Sequence, residues 1–115
     1  MKNKTQTVAE KNLQFSSVVK AICLAHFITE EEFFSRRRLA PLTDARFLYW
    51  HILGRVHNMG LSQIGRLTGY THGSIFHGKK QVKNKLEAGN DRAFMARFKA
   101  ISEQLKLKEH YHEVH

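Results

Sequence analysis

Acidic residues, cysteine and proline are scarce in this chain of 115 residues, and each scarcity excludes something. Ten Asp and Glu stand against 19 Lys and Arg, a formal charge of +9. Between Phe33 and Leu86 the only acid is Asp44, while Arg36, Arg37, Arg38, Arg46, Arg55, Arg66, Lys79, Lys80, Lys83 and Lys85 share that window. So concentrated a cationic charge attracts polyanions, and by itself leaves nucleic acid, acidic membrane and ribosomal partners open. The single Cys23 rules out an internal disulfide and favours a reducing compartment; placed in an apolar run over residues 18–27, it reads as a core thiol. No stretch approaches 18 consecutive apolar residues, and residues 1–11 carry charge without an apolar h-region. A soluble, cytoplasmic protein without a membrane partner is expected. With 42% hydrophobic residues in this length there is material for one small core and no second domain.

Hydrophobic periodicity then divides the chain into about six helices, with no convincing strand, repeat or low-complexity segment. Residues 1–14 are polar and read as a flexible, at most loosely helical tail. Ser16 or Ser17 is a candidate N-cap for a helix with Val18, Val19, Ile22 and Cys23 inside. Thr29 and Glu32 match a capping box for a short acidic helix. Residues 35–41, with Arg36, Arg37 and Arg38, form a basic loop, because Pro41 disfavours helix at Ala40. A long helix from 42 or 43 to about 58 places Ala45, Leu48, Tyr49, Ile52, Leu53 and Val56 on one stripe. Phe47, Tyr49 and Trp50 are packing residues on it. Asn90 is a candidate cap for a last helix with Phe94, Phe98, Ile101 and Leu105 at core spacing. The globular domain is expected over 15–105, followed by a tail over 106–115 that holds His110, His112 and His115.

The most informative stretch is 60–82, GLSQIGRLTGYTHGSIFHGKKQV. Leu61, Ile64 and Leu67 mark one short helix, Gly69 a left-handed stop, and Thr71 the N-cap of a second helix from His72 to about Ala88. A turn this short between two amphipathic helices is the layout of a helix-turn-helix. On a helical wheel Ile75, Val82 and Leu86 face inward near Gly78, while Gly73, His77, Lys80 and Asn84 face out. Lys79, Lys80 and Lys83 make the second helix cationic, suited to phosphate contacts. Phe76, on the flank of the wheel, is expected at the edge of the core.

Laid out in this way, the chain resembles the C-terminal duplex-binding domain of the bacterial replication initiator DnaA over residues 16–105. Ser35-Arg36-Arg37-Arg38, Arg46, Leu61-Ser62-Gln63-Ile64-Gly65, and Gly69 with His72, Ser74, Ile75, His77 and Val82 follow the family's motifs in order and spacing. The resemblance implies an all-α helix-turn-helix bundle, like that domain and the Trp repressor. It also implies minor-groove contact by Arg36 to Arg38 and major-groove reading by Thr71, His72 and Ser74. Thr71 and Gly73 stand where the family has Asp and Thr, and Asp44 where a basic or neutral residue is usual. Base preference should therefore differ from the initiator's own. No Gly-x-x-x-x-Gly-Lys-Ser/Thr loop is present, which points to a stand-alone relative without the motor domain.

The expected partner is double-stranded DNA, bound by Arg36, Arg37, Arg38, Arg46, Tyr70, Thr71, His72, Gly73, Ser74, His77, Lys79, Lys80 and Lys83. The role would be regulatory or replication-related, in replication control or transcription regulation, at a nucleoid-associated location. Replication or transcription proteins are further candidate partners, and with no heptad stripe the protein is a monomer or weak dimer. Two other functions are compatible with the same charge: a protein-interaction module of the replication machinery, and RNA binding. No cofactor or metal is expected, since the histidines lack the spacing of a helical ligand pair. No nucleophile, base and orienter can be assembled from spacing, so the chain does not read as an enzyme.

Overall fold

Residues 6–107 are described by a computed structural model, and among them the chain forms seven α-helices, one 3₁₀ turn and no strand. The helices are α1 (Val8–Lys11), α2 (Ser16–His26), α3 (Glu30–Phe34), α4 (Ala40–Val56), α5 (Leu61–Thr68), α6 (His72–Ala88) and α7 (Arg92–Leu105), with the 3₁₀ turn at Leu13–Phe15. His110, His112 and His115, and with them most of the expected tail, lie outside the described residues. None of the described helices is long and apolar enough to cross a membrane.

Central to the fold is α4, which packs against α2, α3, α5 and α6, while α2 also holds α7. Its buried stripe of Ala45, Leu48, Tyr49, Ile52 and Leu53 meets Val19 and Ile22 from α2, Ile64 from α5, Ile75 and Val82 from α6, and Phe98 and Ile101 from α7 in one core. Cys23 belongs to that core, where burial pushes its thiol up to about 12, and it is unreactive for that reason. At Gly78 α6 comes close to α4: a Cβ there would lie 2.6 Å from Phe47 and 2.7 Å from Trp50. Only a hydrogen at that position lets the two helices meet.

Local signals account for most boundaries. Thr29 and Glu32 form the capping box at the start of α3, Thr71 caps α6, and Gly69 and Gly89 end α5 and α6 in the left-handed region. Several boundaries differ from expectation. Proline lies inside the first turn of α4, where its missing N–H is no loss, so α4 begins at Ala40. Asp91, not Asn90, caps α7 through Phe94 N–H. Neither Ser16 nor Ser17 caps α2; the preceding 3₁₀ turn leads straight into it.

The largest correction concerns residues 6–14, read from the sequence as a tail. Thr7 and Glu10 close a reciprocal capping box around α1, and Asn12 is buried. The Asn12 side-chain amide donates to Val8 O at 2.7 Å and Leu67 O at 3.0 Å, and its oxygen accepts from the Tyr49 hydroxyl. These anchors are polar, so a search for apolar periodicity passes over them. At the other end, Lys106 in the left-handed region and the Leu107 N–H bond to Ser102 O, at 2.9 Å, close α7.

Two outcomes follow from this packing. Asn12→Ala leaves the Tyr49 hydroxyl and the Leu67 carbonyl without their partner, and urea unfolding should show a loss of about 2 kcal/mol. Burial, with Arg55 and Lys79 nearby, holds His51 down at about 4, from an ordinary 6.5. The unfolded chain therefore binds the proton first, and stability should fall as pH drops from 6.5 towards 4. Thermal melts of the protein and of His51→Phe across that range should differ in slope, the variant being flatter.

Candidate nucleic-acid interface

The basic loop between α3 and α4 is held by a guanidinium beneath it. Arg46, 5% exposed on α4, donates to the carbonyls of Phe33 at 3.1 Å, Arg37 at 2.6 Å, Glu32 at 3.3 Å and Ser35 at 2.6 Å. Two of those carbonyls end α3, where the helix dipole is negative, and the other two belong to the loop. Arg46 was expected to contact DNA; in the structure four of its five donors are spent on the backbone. It positions Arg36, Arg37 and Arg38, all of which are exposed.

Tyr70, in the turn between α5 and α6, ties that loop to α6. Its ring packs on Trp50 with centroids 5.1 Å apart, and the Arg36 guanidinium lies 4.5 Å above it. Arg36 also donates to Gly69 O at 3.2 Å. Tyr70 is accordingly a half-buried platform for Arg36 rather than a side chain projecting into solvent. Together the loop, α4 and the start of α6 enclose a cleft of about 550 Å³, lined by Arg36, Arg38, Thr43, Tyr70, Thr71, Ser74 and His77 over a floor of Phe47 and Trp50. Arg37 lies outside that lining.

At the first turn of α6 the expected reading residues are close together but partly occupied. The Thr71 hydroxyl accepts from Ser74 N–H at 3.1 Å and donates to Ser74 Oγ at 3.0 Å, so it acts first as a cap. Ser74 retains its own hydroxyl proton for a ligand. His72 Nε2 lies 3.2 Å from Ser62 Oγ, which lays the ring back on α5 and leaves Nδ1 outside that contact. Ser62 stands in the motif that carries the family resemblance, but only the approach of α5 to α6 pairs it with His72. Gly73 is exposed, with open space where a Cβ would stand. His77 packs edge-on to Phe47 at 5.7 Å.

The lysines of α6 separate from this cluster. Lys79 is half-buried, its ammonium lying across Gly54 of α4, 2.7 Å from where a Cβ would be. Lys80 and Lys83 are exposed, and with Lys79 they line a second concavity that shares no residue with the cleft. Phe76, expected at the edge of the core, is 59% exposed and lines that second concavity. The inward face of α6 is filled by Ile75, Gly78 and Val82, and Phe76 falls beyond it.

The fold and this cleft define the class of protein: an all-α bundle that presents one cationic concave surface at a tight turn between two helices. The chain is similar to the chromosomal replication initiator protein DnaA of Methylacidiphilum infernorum, 29% identical over 96 residues. That alignment takes in 83% of this chain and 21% of the relative, so the chain spans about a fifth of the initiator's length. That likeness and the all-helical architecture both fit a DnaA C-terminal-like domain. No family model matches the chain, and no solved structure matches it significantly.

Replacing Arg46 by Met removes the donors while keeping much of the side chain's bulk. The carbonyls of Phe33, Ser35 and Arg37 then lose their donor, while Glu32 O keeps Ser35, and the amides of residues 36–38 should exchange with deuterium about tenfold faster than in the parent, with α6 little changed.

Proposed function

We propose that the protein binds double-stranded DNA through the cleft between the basic loop and the start of α6, in the manner of a helix-turn-helix domain. The observation that carries this reading is the convergence of Arg36 and Arg38 with Ser74 and His77 around one concave surface, beside the exposed first turn of α6. The likeness to a replication initiator supports it from an independent direction. Arg36, Arg37 and Arg38 supply phosphate and minor-groove contacts, since a guanidinium suits the strong negative potential of a narrow groove. His72 through Nδ1 and Ser74 through its hydroxyl read base edges, and Gly73 lets the backbone come close to the duplex. Lys80, on the outward face of α6, adds a phosphate contact. The work done is replication control or transcription regulation, without a catalytic step, in the cytoplasm and on the nucleoid.

Selection of binding sites from random duplexes at about 0.15 M salt tests the reading directly. A motif should emerge, and it should blur when His72 and Ser74 are both replaced by Ala. With about five to seven phosphates neutralised, the logarithm of affinity should fall with the logarithm of salt at a slope of about −5 to −6. His72→Ala should erode preference among sequences, and Lys80→Ala should weaken all of them about equally. An affinity nearly independent of salt, or tighter binding to hairpin RNA than to any duplex, would overturn the proposal.

A further inference from the structure

The second concavity lies on the other flank of α6. It is a groove of about 540 Å³ whose apolar lining comes from Leu61, Phe76 and Leu86 and whose cationic rim includes Lys79, Lys80 and Lys83. One carboxylate, Glu87, tempers that rim. At 100° per residue, positions 76, 79, 83 and 86 fall roughly opposite Ser74, His77 and Gln81 around the helix. A ligand in the cleft and a ligand in the groove would therefore approach α6 from different sides.

We infer that this groove receives a short acidic amphipathic helix from a protein partner. A phosphate backbone calls for cations alone and gains nothing from an apolar lining. Here a large aromatic, Phe76, is left 59% exposed between Lys79, Lys80 and Lys83, although the core beneath α6 is already closed by Ile75 and Val82. Exposed apolar surface flanked by one sign of charge matches a helix that carries apolar residues at i, i+3 or i+4, and i+7 with carboxylates beside them. The length agrees as well: positions 76 to 87 span about 16 Å along α6, or three turns, which matches an occupant of three to four turns. Its apolar side chains would meet Phe76, Leu61 and Leu86, and its carboxylates the ammonium groups of Lys79 and Lys83, which leaves Lys80 to the duplex. The charge balance also sets the sign of selectivity, because a basic helix would face four cations, Arg55 and the three lysines, against one carboxylate.

The test uses the full chain and a labelled synthetic 16-residue helix with Leu at i, i+3/i+4 and i+7 and Glu on both flanks, read by fluorescence anisotropy. Saturable binding is expected, weakened about tenfold or more by Phe76→Ser and by Lys83→Glu. Both positions are exposed, and circular dichroism melts confirm that each variant is folded. The same peptide with Lys for Glu, or with Ser for Leu, should fail to bind. Binding should persist within a few-fold when the protein is first saturated with duplex DNA. No saturable binding, equal binding by both variants, equal binding of the leucine-free peptide, or complete displacement by duplex would each overturn the inference. The last would place this flank of α6 inside the duplex footprint.

Discussion

A buried cation without a carboxylate partner orders the cationic end of this molecule. Arg46 sits beneath the basic loop with four carbonyls turned towards it, two from the end of α3 and two from the loop itself. Taking a guanidinium out of water is costly unless its donors are met, and here the backbone meets them. One of these bonds satisfies the Phe33 carbonyl, which the end of a five-residue helix would otherwise leave open. One side chain thus ends a helix, shapes a loop and sets the height from which Arg36 reaches Tyr70.

The placement extends from there by aromatic contacts. Tyr70 lies between Trp50 on α4 and Arg36 on the loop, and the turn that carries Tyr70 also starts α6. Loop, turn and helix start are therefore held to one another through α4, and none can move far without disturbing a buried ring. Gly78 makes the same connection on the inner side, because α6 could not lie so near Phe47 and Trp50 with any larger residue. Strain is low along this path: the left-handed positions near it, Gly69 and Asn58, are residue types that tolerate that conformation. Phe27, also left-handed and 93% exposed, lies at the far end of α2, away from the cleft.

Local chemistry explains why much of this was legible beforehand. The inward positions of α6, the capping box at Thr29, the cap at Thr71 and the glycine stops depend on residues within a few positions of each other. So does the basic loop, three arginines in a row. The docking of α1 was missed because it is polar and distant in sequence: Asn12 meets Leu67 and Tyr49, and no periodicity registers such a contact. The surroundings of the candidate site residues were less legible. Arg46 spends four donors on carbonyls, Tyr70 underlies Arg36, and Lys79 lies across Gly54, and a list of cations cannot tell a guanidinium bound to carbonyls from one facing water.

By itself, the order of residues determined that the chain is helical, where most helices begin and end, and that its positive charge gathers around a tight turn. Those properties come from propensity, capping and periodicity, all of which act within a few residues. Only the tertiary structure decided which cations face solvent, that the two flanks of α6 form separate concave surfaces, and that the N-terminal segment is docked. The physical reason is that burial and hydrogen-bond partnership are properties of pairs far apart in the chain, and they exist only once the helices have packed.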